Sequence, residues 1–298
     1  MLSHNFYEAY RIDDLNRKWG ARVLFLVLLC FELSLYFAPI GDSNFDAFNE
    51  FFERVTNNPE NYLVIKPSDV PLTSGNMIYV AFGIFVIAVM IIGAIIYSSI
   101  FIRDFRLHSR RFAITEIPSF SITVRSVVDS REEKISQEEL LKKVSSNLPE
   151  CKPIKLSSMI LRVLFLAFWV LVLVIPMILL TQFLFFIFIL ILPGLMMSVT
   201  YYVSGDKSLG DAIVTGFKHV RGNYLEYISG ILAIGMSFVV VEYIIELLQE
   251  SVLNPSLSYS LMAFAISFFA LTLGRYMGLK HCMINDTFAQ VIKNKQIM

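Results

Sequence analysis

Long apolar runs separated by polar connections dominate the pattern of this chain. A run of about 20 mainly apolar residues can cross the hydrocarbon core of a bilayer as a helix. The pattern therefore predicts six membrane spans joined by two long polar segments and several short ones. The predicted spans cover residues 21–40, 77–102, 159–180, 183–204, 224–247 and 258–279.

The stretch from residue 158 to residue 202 is apolar almost throughout and is about twice as long as one span requires. It must therefore turn once inside itself. Pro176 loosens the last helical turn before Thr181 and Gln182, which are the only adjacent polar residues in this stretch. We predict a tight, almost loop-free hairpin that turns between Pro176 and Gln182.

A short amphipathic helix, predicted over residues 208–221, follows the hairpin and forms an elbow before the next span. Ser208 and Asp211 have the spacing of a capping box. Four apolar residues then repeat on one helical face, and we expect the helix to lie in the membrane interface with the first three of them buried. The same face is our candidate for docking a partner. Its residues are Leu209, Ile213, Phe217 and Val220.

Three motifs around this elbow resemble a known family. Tyr201-Tyr202-Val203 closes the hairpin, the pattern Ser-x-x-Asp-Ala-Ile occupies residues 208–213, and Arg221-Gly222-Asn223-Tyr224 opens a new span. Over residues 157–280 this order is similar to that of six-span bacterial proteins grouped with the membrane domain of glycerophosphodiester phosphodiesterases. The resemblance implies a six-span fold and a membrane location. Most of that family has no assigned activity, so it implies no catalytic residue.

The composition agrees with a membrane protein, since 56% of the residues are hydrophobic, against about 45 to 50% in soluble domains. The predicted fold class is an all-α integral membrane bundle of six helices. The net charge is zero, so no positive field attracts nucleic acid. Membrane lipid is the partner that the composition implies.

Lysine and arginine are sorted to one side of the predicted spans. Connections on the side of the two termini hold 20 of these residues, and connections on the other side hold two. Because positively charged loops stay in the cytoplasm, both termini are predicted to be cytoplasmic in a bacterial cell membrane. Residues 1–20 then form a short interfacial lead-in, and residues 281–298 form a cytoplasmic tail.

The outer loop, between the two spans of residues 21–102, holds six acidic residues. Phe45, Phe48, Phe52 and Val55 repeat at helical spacing, which predicts an amphipathic helix over residues 44–56. We interpret this helix as a cover packed over the spans. A mobile lid over a substrate path is the alternative.

Residues 103–157 form the largest polar segment and hold eleven lysines and arginines. Phe120, Ile122 and Val124 alternate with polar residues, which is a weak strand signal. Ser136 then precedes an apolar helical stripe that ends before Pro149. We predict a small cytoplasmic subdomain, too small to hold a catalytic core unaided.

Four ionisable residues fall inside the predicted spans. They are Glu32 in the first span, Glu242 and Glu246 in the fifth, and Arg275 in the sixth. Such residues are costly in lipid and normally face protein or water, so they are our candidates for an intramembrane polar site. With the first and fifth spans running outward, Glu32 and Glu242 can share a depth. Structural hydrogen bonding, or snorkelling of Glu246 and Arg275 to the interfaces, is the alternative.

Small residues recur every four positions in the fifth and sixth spans, which belong to the region of residues 158–280. Small side chains let helix backbones approach closely in lipid, so these two faces are predicted to pack against other spans or another copy. The residues are Ser229, Ala233 and Ser237 in the fifth span, and Ala270, Gly274 and Gly278 in the sixth.

The sequence contains no phosphate-binding glycine loop, no Gly-x-Ser-x-Gly motif and no metal-spaced pair of histidines. We therefore expect no cofactor and no metal. The favoured function is a non-enzymatic membrane subunit or scaffold, in a homo-oligomer or in a complex with another membrane or cytoplasmic subunit. A transporter or lipid-handling protein, such as the permease half of an ATPase-driven complex, is the alternative, and a membrane enzyme is the third class.

Overall fold

The computed structural model describes residues 9–10, 18–57, 70–115, 154–205, 207–222, 224–251 and 254–285. Every regular element in these ranges is an α-helix, which agrees with the predicted all-α class. In chain order the helices are α1 (Trp19–Phe37), α2 (Asp46–Asn57), α3 (Ser74–Thr115), α4 (Leu156–Val203), α5 (Leu209–Gly222), α6 (Tyr224–Ser251) and α7 (Pro255–Asn285).

Five helical stretches within the described residues are long and apolar enough to cross a membrane. The second half of α4, Ile189–Val203, is a shorter apolar helix. The chain therefore has the build of a multi-pass membrane protein. The five stretches are Trp19–Phe37, Ser74–Asp104, Leu156–Pro176, Tyr224–Gln249 and Pro255–Cys282.

The 48 residues of α4 are helical throughout, but they do not form one straight helix. The guanidinium of Arg162 donates a hydrogen bond of 2.7 Å to the carbonyl oxygen of Tyr202. A straight helix would separate residues forty positions apart by about 60 Å. The ring of Phe165 also lies 6.0 Å from that of Tyr202. The chain therefore reverses direction near residue 182, at the end of the segment predicted to turn.

Helix α7 lies at the centre of the bundle and packs against α1, α3, α4 and α6. Its small residues allow this arrangement, because a Cβ atom on Gly274 would lie 2.4 Å from the carbonyl oxygen of Ala94 in α3. A Cβ atom on Gly278 would similarly meet the ring of Phe101 at 2.7 Å. Together with the partly buried Ala270, these glycines place the small-residue face of α7 against α3.

Two ends of the bundle can be distinguished by their polar contacts. At the end that carries α5, called here the elbow end, Lys18 Nζ lies 2.5 Å from Asp104 Oδ2. At the same end Lys280 Nζ lies 2.6 Å from Glu226 Oε1. These ion pairs connect the start of α1 to α3 and α7 to α6.

The opposite end, called here the far end, is organised by Asn76 in the first turn of α3. Its amide nitrogen donates to the carbonyl oxygens of Asp42 (2.9 Å) and Asn44 (2.8 Å). Its amide oxygen accepts from the backbone nitrogen and the hydroxyl of Thr73. Gly41 has a φ of 73°, and a side chain there would meet Gly75. The loop after α1 is therefore fixed onto the start of α3.

Helix α2 corresponds to the amphipathic helix predicted in the outer loop. Asn44 caps it, since the Asn44 Oδ1 atom accepts a hydrogen bond from the backbone nitrogen of Asp46. Val55 is buried, but Phe52 is 57% exposed. The predicted apolar stripe is therefore covered only in part by the described residues.

Helix α3 runs into the segment predicted to form the cytoplasmic subdomain. The candidate span ends at Asp104, and the helix continues to Thr115. The predicted strand and the helix after Ser136 lie within residues 116–153, outside the described residues.

Candidate functional site

The first candidate site begins with Glu32 on the buried face of α1. Ala21, Leu28 and Glu32 are the buried residues of this helix, and their spacing of seven and four places them on one side. Gly93 of α3 allows a close approach here, because a Cβ atom on it would lie 2.6 Å from Leu28. Glu32 is consequently 4% exposed and points into the bundle instead of lipid.

The surroundings of Glu32 at the far end are aromatic and acidic. The rings of Tyr36 and Tyr259 stack with centroids 5.1 Å apart, which joins α1 to α7. Tyr36 is close enough to both Glu32 and Glu242 to interact with their charges, and Tyr79 of α3 also interacts with Glu32. No contact between Glu32 and Glu242 is seen in the described residues, and their shared depth stays a prediction.

Glu246 and Arg275, the other two residues predicted for the intramembrane polar site, lie away from Glu32. Glu246 is exposed on α6. Arg275 lies towards the elbow end, with its guanidinium 5.0 Å from the ring centre of Phe101. At 2% exposure Arg275 is buried among helices. Its long side chain is accommodated because Gly278 leaves room for Phe101.

The second candidate site is the elbow helix α5, which begins with the predicted capping box. Ser208 Oγ donates to Asp211 Oδ2 at 2.7 Å and accepts from the backbone nitrogen of Asp211 at 3.3 Å. The face of α5 that packs on the bundle consists of Ala212, Gly216 and Val220. A Cβ atom on Gly216 would lie 2.6 Å from the backbone nitrogen of Ser198. The backbones of α5 and α4 therefore touch at this point.

Leu209, Ile213 and Phe217 are only partly covered by the described residues, and their burial in the membrane interface stays a prediction. These side chains are 37%, 44% and 38% exposed. Apolar packing in a membrane has little hydrophobic driving force, so small residues that permit close approach select the packed face. Val214 is exposed beside them. The ring of Phe217 packs on α4, since a Cβ atom on Gly194 would lie 2.5 Å from it. Leu209, Ile213 and Val214 form what we call the open face of α5.

A cluster that the sequence analysis missed lies between α5 and the ends of α4 and α7. The hydroxyl of Tyr201 and Nδ1 of His219 are 3.0 Å apart and share a hydrogen bond. The ring of His281 packs edge-on against Tyr201, with centroids 5.0 Å apart. The three residues are widely separated in sequence, so no spacing signal could identify them. Their contacts hold α5 against the bundle.

The contact between α6 and α7 at the elbow end is also aromatic. Lys280 Nζ lies 5.4 Å from the ring of Tyr227 and 5.6 Å from that of Tyr276, in addition to its ion pair with Glu226. The hydroxyl of Tyr276 donates to the carbonyl oxygen of Tyr227 at 3.2 Å. This approach requires Gly230, because a Cβ atom there would collide with that hydroxyl. These contacts fasten α6 to α7 at the elbow end and have a structural role.

The predicted small-residue face of α6 is not where its closest approach occurs. Ser229, Ala233 and Ser237 are half-buried, whereas the close approach to α7 is at Gly230. Ser237 nevertheless has a distinct role, since its hydroxyl is hydrogen-bonded to Tyr10.

The position of Ala9 and Tyr10 differs from the interfacial lead-in expected for residues 1–20. Ala9 is fully buried in a cluster with Met196 and Ile234, and the ring of Tyr10 lies 6.0 Å from Phe269. These partners belong to the interiors of α4, α6 and α7. This part of the N-terminal segment therefore packs between spans.

Comparison with known protein families, with curated proteins and with solved structures finds no match for this chain.

Proposed function

We propose that this chain is a non-enzymatic membrane subunit that assembles with other protein subunits in the bacterial cytoplasmic membrane. The observation that supports this proposal is the open face of α5. One face of α5 is fixed to α4 at Gly216 and Ser198. Another side carries the apolar side chains of Leu209, Ile213 and Val214, which are 37%, 44% and 68% exposed.

Charges around the open face define the chemistry of the partner. Lys207, Lys218 and Arg221 are exposed, whereas the carboxylate of Asp211 is engaged by Ser208. The rim is therefore positive. A complementary partner is a protein helix with an apolar face and acidic residues at its edge, because opposite charges favour encounter and exclude wrong partners.

Six spans with both termini in the cytoplasm are part of the proposal. Five stretches are long enough to cross a membrane, and the contact between Arg162 and Tyr202 brings the two halves of α4 to the same depth. The second half of α4 is then the sixth span. The 20 to 2 distribution of lysine and arginine supports a cytoplasmic elbow end.

Cysteine labelling in intact cells tests this topology. After replacing the three natural cysteines with serine, Asn49→Cys reports on α2 and Lys218→Cys reports on α5, since both positions are exposed. A membrane-impermeant maleimide should label residue 49 in intact cells and residue 218 only after permeabilisation. Labelling of residue 218 from outside would reject the proposed orientation.

Site-specific photo-crosslinking tests the docking role. A benzophenone amino acid at Val214 places the probe on the open face, and the same probe at Val172 provides a control on an exposed position in the first half of α4. We expect the Val214 probe to give one discrete protein adduct that co-purifies in fixed stoichiometry, and the Val172 probe to react with lipid. An Ile213→Asp substitution should remove the protein adduct. Lipid adducts alone at Val214 would assign the open face to the membrane interface and contradict the docking role.

A transporter or lipid-handling component, such as the membrane half of an ATPase-driven complex, is the second candidate. The observation that favours it is the burial of Glu32 inside the first span, where the side chain is 4% exposed. Replacement of either acid by glutamine retains the shape of the side chain and should lower the activity of the native complex while the protein still folds. Unchanged activity in both variants would remove this candidate.

A further inference from the structure

Arg162, near the start of α4, is held in place by the backbone where α4 leads into α5. Its Nη1 atom donates hydrogen bonds to the carbonyl oxygens of Tyr202 at 2.7 Å and Lys207 at 2.8 Å. The guanidinium carbon also lies 4.9 Å from the ring centre of Tyr202. A guanidinium group carries five N–H donors in a rigid fork, so the donors on Nε and Nη2 remain. No carboxylate of the described residues forms an ion pair with Arg162.

The surroundings of Arg162 are positively charged. Lys155 directly precedes α4, about 10 Å from Arg162 along the helix axis, and the side chains of Lys155 and Lys207 are exposed. Asp211, the next described acid along the chain, is hydrogen-bonded within the capping box of α5. Asp206 lies outside the described residues. Three basic side chains at one corner of the bundle favour a ligand with a net negative charge.

Aromatic rings continue from Arg162 towards the middle of the first span of α4. The ring of Phe165 lies 6.0 Å from that of Tyr202 and 6.3 Å from that of Trp169. Phe168 packs edge-on against Trp169, with centroids 5.9 Å apart. These three side chains of α4 are 40%, 60% and 42% exposed in chain order. Because this half of α4 is a candidate membrane span, their exposed surfaces are available to lipid acyl chains.

We propose that this side of α4 binds an anionic phospholipid of the leaflet at the elbow end, with the phosphate on Arg162 and an acyl chain along Phe165 and Trp169. The planar guanidinium group matches phosphate oxygens in a bidentate arrangement. Trp169 lies about 10 Å from Arg162 along the helix axis, so one lipid molecule reaches both. A zwitterionic headgroup fits less well, because its ammonium group would lie among basic side chains. This site is on α4 and does not depend on the docking role of α5.

Tryptophan fluorescence tests the proposal, because the chain contains two tryptophans and Trp19→Phe leaves Trp169 alone. The full chain is placed in phosphatidylcholine vesicles that contain the same small fraction of either brominated phosphatidylglycerol or brominated phosphatidylcholine. Bromine atoms on the acyl chains quench a tryptophan that they contact. The affinity derived from quenching should be about fivefold higher for the anionic lipid for each basic residue that it contacts. Equal quenching by the two brominated lipids would overturn the proposal.

Controls separate a site at Arg162 from a general attraction to the membrane surface. Arg162→Gln should remove the preference for the anionic lipid. With both natural tryptophans replaced by phenylalanine, Leu232→Trp reports from α6, where residue 232 is 47% exposed, and should show no preference. The same preference at residue 232 as at residue 169 would overturn the site.

Two further arms complete the test. If Arg162→Gln does not fold, Lys155→Gln takes its place, because the side chain of Lys155 makes no capping hydrogen bond. Lys155→Gln should lower the preference for phosphatidylglycerol, and an unchanged preference would overturn the proposal. Inorganic phosphate, compared with chloride at equal ionic strength, should leave the preference unchanged. Its loss in phosphate would assign the site to a soluble anion and would also overturn the proposal.

Discussion

The hydroxyl group of Tyr10 is hydrogen-bonded to the hydroxyl group of Ser237 in the interior of α6. Ser237 lies eleven residues beyond Glu226, and Phe269, which also contacts Tyr10, lies eleven residues before Lys280. At 1.5 Å per residue, both paths put Tyr10 about 16 Å from the Glu226–Lys280 ion pair, roughly half the thickness of a hydrocarbon core. Tyr10 therefore lies near the middle of the bundle.

The direction of this hydrogen bond leads to a prediction. Ser237 donates its only hydroxyl proton to the carbonyl oxygen of Ile234 at 2.7 Å, so Tyr10 is the donor. Ser237→Ala removes the acceptor and Tyr10→Phe removes the donor of this half-buried hydrogen bond, so each should cost about 1 kcal/mol. Thermal unfolding in nanodiscs measures both. The double variant should be no less stable than Ser237→Ala, and additive losses would contradict this bond.

The elbow helix offers a matched pair of glycine substitutions. A Cβ atom on Gly216 would lie 2.6 Å from the backbone of Ser198, whereas one on Gly210 would meet nothing within 4 Å. Gly216→Ala should therefore destabilise the protein by about 1–3 kcal/mol through overpacking. Gly210→Ala should be neutral or slightly stabilising, because alanine favours helix by up to about 1 kcal/mol. Equal melting temperatures for the two variants would refute the close contact of α5 with α4.

Removal of the Asn76 side chain should loosen the far end. Asn76→Ala leaves the carbonyl groups of Asp42 and Asn44 without their donor, and each such loss costs about 1–3 kcal/mol where the group is buried. Asn49 is exposed on α2, so Asn49→Ala is the control. Limited proteolysis between α1 and α3 should accelerate in Asn76→Ala only. Equal cleavage in the two variants would show that this loop is held by other contacts.

Features that depend on local pattern and length could be predicted from the sequence. The first helix, Trp19–Phe37, falls where the apolar run of residues 21–40 predicted a span. The reversal within α4 follows from the length of its apolar run, and the capping box at Ser208 follows from the spacing of two residues. Each of these is set by neighbours within a few turns.

Features that depend on which helices meet could not be predicted in this way. The packed face of α5 is chosen by the small size of Ala212 and Gly216, while apolar periodicity pointed to Phe217 on a neighbouring face. The insertion of Tyr10 between spans has no sequence signal, since its partners lie more than two hundred residues away. The candidate site at Glu32 depends partly on local pattern and partly on which helices meet. Glu32 was identifiable as a costly acid in a span, but its place beside Tyr36 and Tyr259 required the structure.

The central claim is that this chain works as a subunit that assembles through the open face of α5, and the mass of the intact particle tests it most directly. The chain alone has a mass of 34.0 kDa. Extracted from its native membrane in mild detergent and analysed by native mass spectrometry, it should form a discrete complex whose mass exceeds this value by whole protein subunits. Ile213→Asp and Val214→Asp should reduce that complex to the single chain. A particle of 34.0 kDa from the unsubstituted protein, or an unchanged complex in both variants, would contradict the account.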